Sequence, residues 1–502
     1  MSAQQSSELL ARLRGQGVNP AGITADSRKV ASGELFAAWP GFKTDGRRHI
    51  GEAVTRGAAA VLWESGDGYR AESIPVPALG VEGLRALSGH LAHEIYGRPS
   101  STLWMTGVTG TNGKTTVTQW LASGFEMLQM RCGVIGTLGW GYAGKLSDLG
   151  NTTPDALVLH RLLREFVDSG ASAVAMEVSS IGLEQGRVSG VEFDVAVYTN
   201  LTRDHLDYHG SMERYGASKA RLFETPGLRT AVVNLDDMFG VNLARRLVKS
   251  GLEVIGCTHA RSNADAVPGA RALVAQGLQP SQMGQRFSVS WEGRTHDLQA
   301  RVLAPFNVSN LLAVIGVLLS RGVELEDALT VASRLVPPEG RMQLVGGVGE
   351  PLVVIDYAHS PDALGKVLQA VRATAEARRG RLVCVFGCGG DRDPGKRPLM
   401  GEVARQFADH VILTSDNPRS EDPRAIIDAI QAGAGPAAVT VVDRAQAIRI
   451  AIGESGANDV VVLAGKGHEP YQEVLGQRLP FCDIEHARAA LLSWNPARGD
   501  DR

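Results

Sequence analysis

A strand that runs straight into a glycine-rich turn and then into a helix can be built in few ways. One stretch of this chain reads so: Thr102-Leu103-Trp104-Met105-Thr106-Gly107-Val108-Thr109-Gly110-Thr111-Asn112-Gly113-Lys114-Thr115-Thr116. The order is that of a phosphate cradle at the end of a buried strand. Glycines let backbone N–H groups converge on phosphate oxygens, Lys114 brings a positive charge, and the Thr115 hydroxyl is placed to ligate magnesium. The spacing departs from the usual loop, because Val108 stands where its first glycine belongs.

The rest of the chain repeats the alternation. Short β-branched runs at 172–178, 193–198, 230–233, 382–386, 410–413 and 459–463 read as buried parallel strands. Helix-period stretches fall at 115–130, 155–168, 307–321 and 362–377. Two doubly wound sheets are expected, one on either side of a junction near Val336-Pro337-Pro338-Glu339-Gly340. The first hundred residues differ, with short strands near 33–38 and 58–63 and an end near Tyr96-Gly97-Arg98-Pro99, and 276–303 reads as a β-rich insertion. A length of 502 residues suits about three domains. The expected class is α/β: a small N-terminal α/β domain at 1–101, a central P-loop-type domain at 102–339 and a C-terminal Rossmann-like domain at 340–502.

Composition excludes several classes. With 44% hydrophobic and 21% charged residues and no apolar run of bilayer length, the chain reads as a globular protein without a membrane span. Residues 1–14 lack the apolar core of a signal peptide, and five scattered cysteines suit a reducing compartment, so a cytoplasmic location is expected. Cys384 and Cys388 read as small buried residues rather than zinc ligands. A net charge of -3 argues against a broad nucleic-acid surface but not against small anionic substrates. Glu177 ends an apolar strand in Met176-Glu177-Val178-Ser179-Ser180, where a doubly wound sheet places its ligand crevice, and a metal or water role is expected of it. Two Asp and two His follow the next strand in Asn200-Leu201-Thr202-Arg203-Asp204-His205-Leu206-Asp207-Tyr208-His209-Gly210, a pattern that alone fits either metal ligation or loop hydrogen bonding.

These motifs, with Tyr215-Gly216-Ala217-Ser218-Lys219, Asn307-Val308-Ser309-Asn310, Gly340-Arg341-Met342-Gln343 and Asp356-Tyr357-Ala358-His359, resemble the Mur ligases over essentially the whole chain. Mur ligases are ATP-dependent enzymes that add amino acids to the peptidoglycan precursor, and so serve cell-wall synthesis, cell shape and division. Asp26-Ser27-Arg28, Gly46-Arg47-Arg48 and Asn151-Thr152-Thr153-Pro154 are similar to the member that adds the third peptide residue. The resemblance implies that Gly110, Thr111, Asn112, Gly113, Lys114, Thr115 and Thr116 hold the ATP phosphates, that Asn310 and Arg341 contact the nucleotide, and that Asp356 lies near its ribose. It implies two Mg²⁺ ions, one served by Thr115 and Glu177 and one by His205. Lys219 matches a lysine that carbon dioxide converts into a carbamate, an anion able to ligate Mg²⁺. Lys114, Glu177, His205 and Lys219 form the implied catalytic set. Ser27, Phe42, Lys43 and Thr44 would touch the uridine nucleotide, and Asn151, Thr152, Thr153, Ser179, Gln185 and Arg187 the muramyl-peptide end. Ile181 departs from the pattern, since many relatives carry His there.

The same resemblance points to the incoming amino acid. Ser415-Asp416-Asn417-Pro418-Arg419 contains the tetrapeptide DNPR, which in the family accompanies selection of meso-diaminopimelate. That amino acid differs from L-lysine by a second carboxylate, which a guanidinium binds through two parallel charge-assisted hydrogen bonds. Arg392, Asp416, Asn417, Pro418, Arg419, Gly465 and Glu469 are the implied meso-diaminopimelate site. The implied reaction joins it to UDP-MurNAc-L-Ala-D-Glu through an acyl phosphate, an acid–amino-acid ligation with small molecules as partners. An L-lysine-adding ligase, a folylpolyglutamate synthase and a non-catalytic nucleotide-binding module are the alternatives.

Overall fold

A computed structural model describes residues 3–41, 44–70, 73–281 and 284–495. Phe42 and Lys43 lie outside the described residues. The chain divides into two compact units, residues 1–272 with 313–323 and residues 273–312 with 324–502.

The first unit contains two sheets. Strands Ile23–Thr24, Leu35–Ala38, Ala60–Glu64 and Ala78–Val81 pair in chain order, all parallel. Leu10 and Leu13 of helix Ala3–Gly15 and Leu87 and Leu91 of helix Leu84–Ile95 pack with Leu35 and Leu62 of this sheet. The second sheet sets six parallel strands in the spatial order Glu253–Thr258, Thr230–Asn234, Val195–Tyr198, Trp104–Thr109, Ala173–Glu177, Cys132–Gly136. The chain starts at the central strand Trp104–Thr109, skips to Cys132–Gly136 two places away, returns to fill the gap with Ala173–Glu177, and then builds outward on the other side. That reversal leaves a crevice at the carboxyl ends of the middle strands, where ligands of such sheets bind.

The second unit has an antiparallel meander, made of Gly284–Trp291 paired with Arg294–Ala300 on one edge and with residues of Arg271–Ser281 on the other. Its main sheet runs Gln343–Gly346, Leu352–Asp356, Val460–Ala464, Leu382–Phe386, His410–Leu413, Val439–Thr440, parallel except for the first pair. Alternate residues serve opposite faces. Leu352 and Val354 pack into one core and Val353 and Ile355 into another, as a sheet covered by helices on both sides requires.

Among the strands that the sequence reading did not name are three short ones: Gly139–Tyr142 and Lys145–Ser147, which form antiparallel pairs at the edge of the central sheet, and Gln343–Gly346. Each is half-exposed or glycine-bearing, so the pattern of a buried β-branched run is missing. No helix among the described residues is long and apolar enough to cross a membrane.

Helix Leu84–Ile95 approaches its neighbour backbone to backbone. A Cβ on Gly89 would lie 2.3 Å from the Ser189 carbonyl oxygen, and one on Gly190 would lie 2.9 Å from the carbonyl oxygen of Gly89. In an isolated helix Gly→Ala gains about 1 kcal/mol, but here the obstacle is main chain and cannot rotate away. Gly89→Ala is therefore expected to lower stability by about 1–3 kcal/mol, read as a fall in melting temperature, whereas a rise would show that the contact yields.

Candidate active site

The phosphate loop is shaped before any ligand arrives. Gly110 has φ +147°, open to glycine, and a Cβ there would sit 1.9 Å from the Thr199 hydroxyl oxygen. Thr111 N–H donates to the Asn200 carbonyl (2.8 Å) and Asn112 N–H to the Asn200 side-chain oxygen (3.0 Å), while Asn200 Nδ2 and Thr199 Oγ1 both donate to the Asn112 carbonyl. Helix Lys114–Met127 begins directly after Gly113, and its first backbone bond is from Val117 N–H to Gly113. The N–H groups of Gly113 through Thr116 thus precede that bond at the positive end of the helix dipole, a ready anion site. Lys114 Nζ is folded over the loop, donating to the carbonyls of Gly110 and Thr111, each at 2.9 Å.

A second lysine reaches the same carbonyl. Lys219, only 1% exposed at the end of helix Met212–Ala220, donates from Nζ to Gly110 O at 2.8 Å and lies over the Tyr215 ring, 4.2 Å from its centroid. Tyr215 O–H in turn donates to Thr111 Oγ1 (3.2 Å), fastening this helix to the loop. Burial first, then the charge of Lys114, pulls the Lys219 pKa down from 10.5 to about 6 against the opposing pull of Asp204. His205, half-exposed, is 3.6 Å from Asp204. His209 is buried instead, bonded to Ser180 Oγ (2.9 Å), and burial lowers its proton affinity. Ile181, in the short helix Ser180–Glu184, offers no polar group here.

Glu177 is 1% exposed. Its two oxygens accept from Thr137 N–H (2.8 Å) and Thr137 O–H (3.2 Å), and Gly136 leaves the room, since a Cβ there would stand 2.3 Å from Oε1. Thr137 Oγ1 also lies 3.0 Å from Thr152 Oγ1. Thr153 bonds the Glu177 carbonyl (2.9 Å) and Ser179 N–H donates back to it (3.0 Å). Arg187 spans from the Thr153 carbonyl (2.7 Å) to Gln185 Oε1 (2.8 Å). Thr152, Thr153, Ser179, Gln185 and Arg187 are thus one linked group beside Glu177, with Asn151 exposed next to it. Ser27 and Thr44 belong to the small sheet's loops, bonded to Glu52 (2.7 Å) and His49 (3.3 Å).

The remaining residues lie in the second unit. Asn310 Nδ2 donates to Asn307 Oδ1 (3.2 Å), while Asn307 Nδ2 and Arg341 Nε are buried without a hydrogen-bond partner among the described residues. Asp356 accepts from Met342 N–H and Ala358 N–H, both at 2.8 Å, so it braces the turn that carries Arg341. Asn417 Oδ1 accepts from Lys466 Nζ (3.0 Å) and Glu473 N–H (2.9 Å), and Nδ2 donates to Glu469 (2.8 Å). One side-chain N–H of Asn417 is left over among the described residues. Burial raises the pKa of Asp416 against the nearby charges of Arg444 and Lys466, and Gly465 is held so close that a Cβ would meet Asp416 Oδ2 at 2.4 Å. Arg419 is bonded to Glu473 and to the Gly390 carbonyl, which the turn ending in Pro418 packs against. Arg392 is exposed.

Three family models match successive stretches: "Mur ligase family, catalytic domain" at 20–96, "Mur ligase middle domain" at 108–318, and "Mur ligase, glutamate ligase domain" at 340–467. The UDP-N-acetylmuramoyl-L-alanyl-D-glutamate--2,6-diaminopimelate ligase of Ectopseudomonas mendocina is 50% identical over 477 residues, 95% of this chain and 96% of that one. That of Chromobacterium violaceum is 48% identical over 475 residues, 94% of each chain. This chain belongs to the Mur ligase family. A solved structure of a protein of the same name has a TM-score of 0.73 at 36% identity, covering 94% of this chain and 95% of its own. A folylpolyglutamate synthase from Mycobacterium tuberculosis shares the fold at TM-score 0.58 and 18% identity, over 76% of this chain. As a Mur ligase the chain is an ATP-dependent enzyme that forms carbon–nitrogen bonds.

The residues present fit the Mur ligase nucleotide and metal. No group of three or more His, Cys, Asp or Glu among the described residues could cage a metal unaided. Mg²⁺ takes one or two protein oxygens and completes its shell with phosphate and water. Glu177 retains lone pairs beyond its two bonds to Thr137. Sequence reasoning assigned no role to Thr137, Thr199, Asn200 or Tyr215, although each fixes a residue it did single out.

Lys219 makes stability depend on pH. The unfolded chain keeps that proton up to about pH 10.5 while the folded chain loses it near 6, so stability rises with pH across the interval. Lys219→Met should flatten the slope by up to one proton, about 1.4 kcal/mol per pH unit. Denaturant unfolding of both proteins at pH 7 and pH 8.5 checks this, and parallel slopes would place the Lys219 pKa outside that range.

Proposed function

We propose that this enzyme joins meso-diaminopimelate to the D-glutamate of UDP-N-acetylmuramoyl-L-alanyl-D-glutamate, consuming ATP, in the cytoplasm. The observation that carries the reading is Arg419 in the Asp416-Asn417-Pro418-Arg419 turn, a guanidinium suited to a second carboxylate, in a chain about half identical to relatives named for that reaction. A site built to pair a charged group rejects an analogue lacking it by about 10⁴-fold. The stretch matched at 20–96 favours this reading over a folylpolyglutamate synthase, whose likeness covers less of the chain.

In the proposed scheme residues 1–101 bind the uridine nucleotide through Ser27, Phe42, Lys43 and Thr44, residues 102–339 bind ATP, and residues 340–502 bind the amino acid. Backbone N–H groups of Gly110 to Thr116 and the Lys114 ammonium hold the triphosphate, with Asn310, Arg341 and Asp356 at the nucleoside. Arg187, Gln185, Ser179, Asn151, Thr152 and Thr153 orient the muramyl dipeptide so that its γ-carboxylate attacks the γ-phosphorus and ADP leaves. The amine of meso-diaminopimelate, oriented by Arg392, Asp416, Asn417, Arg419, Gly465 and Glu469, then attacks the acyl carbon, loses its proton and expels phosphate. Thr115, Glu177, His205 and Lys219 would hold two Mg²⁺ ions, which would neutralise the charge of carboxylate and triphosphate.

Lys219 takes part as a carbamate. A pKa near 6 leaves its nitrogen mostly an uncharged amine at neutral pH, and only that form attacks carbon dioxide. The new N–C bond forms with loss of one proton, the nitrogen keeps one N–H for the Gly110 carbonyl, and a buried neutral amine becomes an anion.

Phosphate release is expected to require both the UDP-dipeptide and meso-diaminopimelate, with L-lysine in parallel giving little; equal use of lysine would sink the selectivity reading. Lys114→Ala should abolish turnover. Lys219→Ala should be inactive and partly restored by a short-chain carboxylate, whereas full activity of this variant and of carbon-dioxide-depleted enzyme would exclude the carbamate.

A further inference from the structure

Arg419 is held in place by one hairpin and by the glycine turn at Gly390. The hairpin of Tyr471–Val474 and Gln477–Pro480 runs beside the turn that carries it. Gln472 Nε2 donates to the Asp416 carbonyl (2.8 Å), Glu473 N–H donates to Asn417 Oδ1 (2.9 Å), Arg419 N–H donates to the Glu473 carbonyl (2.9 Å), and Leu475 N–H donates to the Arg419 carbonyl (2.7 Å). These bonds hold Arg419 at φ +51°, a conformation uncommon for a residue with a side chain. The side chain is then fixed twice: Nε donates to Glu473 Oε2 (3.1 Å) and Nη1 to the Gly390 carbonyl (2.7 Å). Gly390 and Gly389 allow the approach, since a Cβ on Gly389 would stand 2.9 Å from Nη1.

We propose that Glu473 is a positioning residue for amino-acid selection, holding the Arg419 guanidinium so that its terminal nitrogens meet the distal carboxylate of the incoming amino acid. The proposal rests on the reading that this enzyme adds meso-diaminopimelate. A guanidinium has five N–H groups. With one on Glu473 and one on Gly390, three remain, on Nη1 and Nη2, and Nη2 makes no hydrogen bond among the described residues. Two of these suffice for parallel bonds to one carboxylate. Glu473 also offsets the guanidinium's charge, so a ligand gains there through directed hydrogen bonds. A side chain ending in an ammonium alone finds no acceptor on Arg419 and a carboxylate already engaged.

Steady-state kinetics of Glu473→Ala and Glu473→Gln against wild type test this. Loss of a charge-assisted bond predicts a rise of about tenfold or more in KM for meso-diaminopimelate in Glu473→Ala. KM for ATP and for the UDP-dipeptide and kcat should stay within about twofold on the same grounds of locality. Glu473→Gln, which keeps an acceptor for Nε, should fall between, and the preference for meso-diaminopimelate over L-lysine should drop in step. An unchanged or lowered KM for meso-diaminopimelate would overturn the proposal, and so would an equal loss across all three substrates, which marks a merely structural residue. If Glu473→Ala fails to fold, Glu473→Gln decides by the same criteria. Wild-type enzyme that does not use meso-diaminopimelate would instead overturn the functional reading itself.

Discussion

One carbonyl oxygen, that of Gly110, receives two lysine ammonium groups' worth of donors, and much of the first unit is arranged around it. The Gly110 backbone can reach both lysines only because the residue has no side chain, for Thr199 occupies the space where one would be. Thr199 and Asn200 come from the end of Val195–Tyr198, the strand next to Trp104–Thr109, so strand pairing itself sets the loop's shape. Two like charges beside one buried oxygen cannot both persist at low cost, and Lys219, the more enclosed, is the one that yields its proton.

The second unit handles charge differently. Arg444 and Asp483 are fully buried and joined by two bonds of 2.7 Å, with Arg444 also donating to the Ala464 carbonyl next to Gly465. Lys466, equally buried, is shared between Asn417 and Glu469. Buried pairs of this kind add little net stability over apolar packing, but losing one partner is costly. Their effect here is to fix the turn from Asp416 to Arg419, and a fixed frame suits the selection of a second carboxylate proposed for that turn.

The phosphate loop and the strand ends were legible in sequence because each is local: a β-branched run, a glycine turn and a helix start occupy consecutive residues around Lys114. The same holds for Glu177 at the last position of its strand. What tunes these residues was not legible. Thr137 meets Glu177 from forty positions away, and Tyr215 meets Thr111 across 104. Glu473 likewise sits 54 positions from Arg419, in a hairpin whose exposed pattern carries no periodic signal. Chain spacing does not encode such pairings; they follow from which strands lie side by side. The exposed edge strands were missed for a related reason, since a strand with one neighbour and little burial needs no apolar run.

The bond between Arg419 and Glu473 ties two positions into one unit of change. Replacing the arginine alone strands a partly covered carboxylate, and replacing the glutamate alone releases a guanidinium from a backbone conformation it was bent to fit. A lineage drifting toward a different amino acid would therefore pass through a weakened intermediate whichever residue changed first. Alterations at these two places are expected to arrive together, with the turn and the hairpin inherited as a matched set.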